Sequence, residues 1–275
     1  MKHFYLVSFL LVITVSVFAQ TDTIFSNNQM ILCHVKEVQP DVIKFTYPGE
    51  DISNSIYKNI VQKIAFRSGR VQMFSESTSY KTVNKPKDYE NVTITQVESE
   101  VKGLFKIGDV SSKSKGTTTL SNQERVKERA YRKLKMQAAM QGANVVYLTN
   151  QRTEGNKAGG YFQASSSAET NLTGIAYSSQ LPDIKKFKAL IANKKEFIAS
   201  TKIKLWGSAS DLKVVETSSK FEVFEIINEN GLIVLKGKLE GVSKINTFRV
   251  STFSESDFNI FYEGKSSVYN SVIEL

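Results

Sequence analysis

Apart from one long helical stripe, apolar and polar residues in this chain alternate with a period of two in short runs, and that pattern commits most of it to β-sheet. Successive strand side chains point to opposite faces, so alternation marks a half-buried strand. The stretch DVIKFTY at 41–47 reads this way, and so do 30–38, 55–57, 60–66 and 71–74. Turn chemistry at Pro48-Gly49 and Ser68-Gly69 separates them. Five short strands within about 50 residues predict a small β-barrel over 20–75, because closure removes exposed edges. Toward the other end, 221–226 alternates cleanly and Asn230-Gly231 supplies the strongest short hairpin signal. Further strands at 232–239, 247–250, 258–262 and 269–275 predict a β-sandwich over 204–275.

The helical stripe lies between these β-rich ends. Val126, Ala130, Leu134 and Ala138 recur every four residues beside Tyr131, giving one apolar face. Ser121 and Glu124 have capping-box spacing, and Gly142 suits a C-terminal cap. Strands at 92–97, 103–110, 144–148 and 172–177 surround it, so 91–180 reads as an α/β domain with one main helix. Residues 76–90, polar with Pro86, read as a linker, and 153–171 as a flexible hairpin excursion. Residues 181–203 read as a basic helical connector: Ile184, Phe187, Leu190 and Ile191 share a face opposite five lysines. Such an amphipathic segment can make peripheral contact with an anionic membrane. The expected fold class is therefore α+β and multidomain.

Residues 1–19 read as a secretory signal peptide. Lys2 and His3 precede an apolar run, and Val17-Phe18-Ala19 precedes Gln20, with small or compact residues where the peptidase accepts them. The run is shorter than the roughly 20 residues of a spanning helix. Export to the periplasm, the outer membrane or the extracellular space is the expectation. The only cysteine, Cys33, cannot form an internal disulfide, so cores alone must hold the fold. A formal net charge of +9 favours anionic partners. An envelope protein or an anionic polysaccharide fits export, and nucleic acid does not.

Three resemblances accompany this reading. The segment YRKLKMQAAMQGANVVYL, followed by GIAYS, resembles the exported α/β domain of the Rcs outer-membrane stress-sensor lipoprotein and related short lipoproteins. Ala138, Gly142, Ala143, Asn144, Val145, Val146, Gly174, Ala176 and Tyr177 occupy that pattern. The resemblance implies fold and compartment, but that sensor depends on disulfides and a lipid anchor, for which this chain lacks the cysteines. Segments DTIF, ILCHVKEV, DVIKFTY and IVQKIAF look like the small SH3-like or Sm-like barrels of exported Bacteroidota proteins. At the C-terminus, FEVFEIINENGLIVLKGKL with INTFRVSTFSESDFNIFYEG and SVIEL is similar to a type IX secretion sorting domain, although the proline-rich entry motif and a basic last strand are missing.

Catalytic chemistry finds little to stand on. Beyond His3, His34 is the only histidine, and as Cys33's neighbour on a strand it points to the opposite face. Ser55 and Lys58, like Ser112 and Lys115, have serine-lysine enzyme spacing without the partner motifs. No metal-ligand spacing or phosphate loop is visible, so no catalytic, cofactor or metal residues are assigned. The candidate partner contacts are Tyr161 and Phe162 in the hairpin excursion and Arg125, Arg129, Arg132 and Lys133 on the helix. The expected function is a non-enzymatic envelope or cell-surface protein that binds another macromolecule; the alternative is an envelope hydrolase with an unrecognised serine or carboxylate site.

Overall fold

A computed structural model describes residues 21–26, 29–74, 80–159, 164–192 and 194–275. Residues 1–19, read above as a signal peptide, and the aromatic pair Tyr161 and Phe162 lie outside the described residues. The chain is mostly strand with few helices and divides near residue 75 into two compact units.

The first unit is one antiparallel sheet of β1 (Asp22–Ser26), β2 (Gln29–Val38), β3 (Val42–Thr46), β4 (Asn54–Tyr57), β5 (Val61–Ala65) and β6 (Val71–Met73), in the order β4-β3-β2-β1-β5-β6. Ile24, Cys33, Ile43, Phe45, Val61 and Ile64 form its core. The expected barrel closure is not made by hydrogen bonds: β4 and β6 are the edges, and at four and three residues they are short. Asp22 ties the sheet together, since its buried carboxylate accepts from the backbone N–H of Val35 and of Arg67, each at 2.8 Å. On β2 and β6, Met30, Leu32, Val71 and Met73 are all exposed.

In the second unit, residues 80–90 are structured rather than a linker. Val83 and Pro86 are buried, a 3-10 turn spans Pro86–Asn91, and Asn91 donates to the Thr82 carbonyl. A four-stranded sheet comes next, built from β7 (Thr93–Thr95), β8 (Phe105–Lys115), β9 (Val145–Glu154) and β10 (Glu169–Ser178) in the order β7-β9-β10-β8. Between β8 and β9 runs α1 (Gln123–Met140), whose Ala130, Leu134 and Ala138 pack with Val110, Val146, Leu172 and Ala176. Asn122 caps the helix by accepting from Arg125 N; the expected cap, Ser121, accepts from Thr118 N instead. Gly142 ends it at φ 80°. The excursion at 153–171 is shorter than expected, because β9 and β10 pair out to Glu154 and Glu169 and a bridge joins Lys157 to Ser166.

The third layer corrects two expectations. Residues 181–203 contribute only a short helix, α2 (Ile184–Ile191), before β11 (Glu196–Trp206) begins. Along β11, Phe197, Ala199, Ile203 and Leu205 alternate with more exposed residues and are all buried, with a register shift between Ala199 and Thr201. With β12 (Lys213–Glu229), β13 (Leu232–Leu239), β14 (Thr247–Phe253), β15 (Asp257–Glu263) and β16 (Ser267–Glu274), β11 makes a closed six-stranded barrel instead of a sandwich, since it pairs with both β12 and β16. Asn230 and Gly231 join β12 to β13 with φ of 52° and 88°, the two positive values a tight hairpin turn requires. Phe197, Phe221, Phe248 and Phe258 fill the barrel, largely edge to face. Phe187 and Ile191 of α2 join that core, so these two residues of its apolar face pack against the barrel. No described helix is long and apolar enough to cross a membrane.

Candidate anion-binding pocket

The site begins with an edge problem. Strand β8 is an edge of its sheet, so alternate residues present unpaired backbone groups. A row of α1 side chains satisfies them. Arg129 Nη2 donates to Lys115 O at 3.1 Å and Lys133 Nζ to Lys113 O at 3.1 Å; Ser111 N donates to Gln137 Oε1 at 3.0 Å. Gln141, at the helix cap, donates to Asp109 O at 3.2 Å, and Arg249 from β14 ends the row at Ile107 O. The spacing works because four helical residues rise about 6 Å and two strand residues about 6.7 Å. Each step of four along α1 therefore meets a step of two back along β8.

At the Arg129 end this row leaves positive charge without a counter-charge. Lys133 is 6% exposed and also donates to the Gly207 carbonyl, beyond β11; burial pushes its ammonium below its ordinary value. Arg129 Nε is buried with no hydrogen-bond partner. The ion pairs formed by α1 use Lys127, Arg132 and Lys135, and among the described residues none reaches Arg129 or Lys133. Both side chains line a cavity of about 330 Å³ whose other walls are Lys113, Ser114, Lys115 and the segment 207–210. Lys113 is the one lysine there with an acidic partner, Glu169 at 2.7 Å. Cations and serine side chains around a space of this size favour an anion, because neutral carbonyls do not balance a buried cation's charge.

Of the helix residues named from sequence, the structure brings together Arg129 and Lys133. Arg132 turns to Tyr89 and Asp211, with Nη2 2.9 Å from the tyrosine oxygen and 3.3 Å from the carboxylate. Arg125 is exposed and lines no part of the cavity. Lys113, Lys115 and 207–210 are not among the partner contacts read from the sequence, although SKSK on β8 places both lysines on one strand face.

The other candidate chemistries fare differently. Ser112 is buried and donates to the Ala130 carbonyl at 2.7 Å, while Ser55 is exposed on edge strand β4. Cys33 is fully buried, and burial, with the nearby Asp22 charge, pushes its thiol up to about 11. His34 lines a separate depression of the first unit with Asp22, Lys36 and Arg67, in which the Asp22 carboxylate is already engaged by backbone N–H groups. No cluster of three or more metal-ligating side chains occurs among the described residues. No family model, curated protein or solved structure matches this chain.

Proposed function

We propose that this protein is a non-enzymatic, exported component of the cell envelope or cell surface that binds an anionic polysaccharide, with the α/β layer as its docking module. The observation that carries this reading is the buried Lys133 ammonium, held by carbonyls alone and opening with Arg129 and Lys115 onto the 330 Å³ cavity. The signal-like residues 1–19 and the resemblance to exported lipoprotein domains support the compartment. The engagement of Ser112 with a backbone carbonyl favours binding over serine hydrolysis.

Calorimetric titration with a polyuronate oligosaccharide tests the reading. Saturable binding is expected for the wild type, weakened about tenfold, or 1.4 kcal/mol, by K115Q combined with R129K. The lysine at 129 retains the charge but loses the guanidinium fork. Absence of binding, or binding unchanged in the double variant, would sink the proposal. In vivo cross-linking with envelope fractionation reports partner and compartment together.

A further inference from the structure

A second cationic site lies in the barrel, on different residues. Lys202, Lys204 and Trp206 share one face of β11, since the intervening Ile203 and Leu205 pack against Met136 and Met140 of α1. Across the ladder, Lys204 pairs with Lys213 on one side and with Tyr269 on the other. Tyr269 stacks on Tyr262 at 5.0 Å with 8° between the planes, and Tyr262, 3% exposed, belongs to the barrel core beside Phe248. Tyr269 and Trp206 also meet lysines. The ammoniums of Lys202 and Lys204 lie 5.0 and 5.2 Å from the Tyr269 centroid. Those of Lys204 and Lys213 lie 4.2 and 5.5 Å from that of Trp206.

Each ring thus has two ammoniums near it, with Lys204 shared between them, and no carboxylate among the described residues forms an ion pair with any of the three. Ring faces attract cations by about 0.5–1 kcal/mol at exposed sites, comparable to the repulsion between like charges a few ångströms apart at a solvated surface. An anion of charge two or more would reverse that repulsion. Lysine binds phosphate as a compact point charge, so what recognises the group here is the number of positive charges rather than a guanidinium fork.

We propose that Lys202, Lys204 and Lys213, organised by Trp206 and Tyr269, form a binding site for a phosphate group, free or on a lipid headgroup. The site shares no residue with the cavity beside Arg129. Trp206 is the only tryptophan in the chain, so its emission reports this site directly. Titration of the full-length protein with inorganic pyrophosphate is expected to change that emission saturably, and 1 M salt to suppress the change, because the Debye length falls to about 3 Å. Vesicles of phosphatidylcholine with and without phosphatidic acid form the second arm. A response to pyrophosphate assigns the site to soluble phosphates. A response to phosphatidate vesicles alone assigns it to a headgroup.

K204Q combined with K213Q should weaken either response at least about tenfold, K204R should restore it, and K115Q in the other cavity should leave it unchanged. Silence toward both probes, or a double variant that responds like the wild type, overturns the proposal. Because K115Q and R129K spare this site, failure of the polysaccharide reading and failure of this one are separately visible.

Discussion

Arg249 donates from Nη1 to the Ile107 carbonyl at 2.7 Å, joining strands 142 residues apart and fastening the barrel to the open edge of the neighbouring sheet. Its Nη2 reaches Gln141 Oε1 at 3.2 Å, so one guanidinium serves the sheet edge and the end of α1 together. Burial pulls it down to about 10, which still leaves it charged at neutral pH. A cation at a helix C-terminus also meets the negative end of the dipole.

The first prediction concerns this fastening. R249A leaves the Ile107 carbonyl without its donor and should cost about 2–3 kcal/mol, the worth of hydrogen bonds to a charged group. In denaturant titrations of the full chain, sheet and barrel should unfold in one transition in the wild type. A midpoint unchanged by R249A would contradict the role assigned to it.

Gly142 offers a sharper steric test. At φ 80°, a side chain there is strained, and a Cβ would sit 2.5 Å from the Ser251 carbonyl oxygen, a backbone atom. At Gly108 an added Cβ would approach Gln141 Oε1 at 2.8 Å, the end of a side chain that can move. G142A should therefore destabilise by more than the roughly 1–2 kcal/mol of a left-handed alanine, and G108A by less. Thermal melts of the two variants decide the order.

The helix start can be checked by paired substitutions. N122A removes the side-chain acceptor for Arg125 N and should cost about 1 kcal/mol. S121A, which loses only an acceptor for Thr118 N in the preceding loop, should cost less. Equal losses in chemical denaturation would place the cap at Ser121 after all.

Cys33 should be silent toward thiol reagents in the folded protein and react fully in denaturant, because a thiol raised to about 11 by burial exposes almost no thiolate near pH 8. The folded state holds this proton more tightly than the unfolded chain, whose value is 9.0. The associated stability is complete below pH 9 and is lost as pH rises toward 11. C33A should flatten that part of the stability profile. A profile that is unchanged by the substitution would refute the linkage.

Local signals in the residues anticipate much of this molecule. The four-residue recurrence of Val126, Ala130, Leu134 and Ala138 marks α1, Gly142 its end, and Asn230-Gly231 a hairpin, because each depends on neighbours close in the chain. Alternation marks many of the strands; β11 carries it too, with Lys202 and Lys204 alternating with Ile203 and Leu205, but the lysine-rich run before it draws its first half into the segment that reads as connector. Closure itself, with β11 pairing to β16 some 70 residues later, is a long-range event that no local pattern encodes. The same holds for the cavity. The sequence presents Arg129 and Lys133 as two cations among six on one helix, and only the packing of α1 along the bare edge of β8 buries Lys133, turns Arg132 away and leaves positive charge without an acid. Strand and helix periodicity are set by backbone geometry, whereas an edge, a closure and an unbalanced charge arise from which segments meet in space.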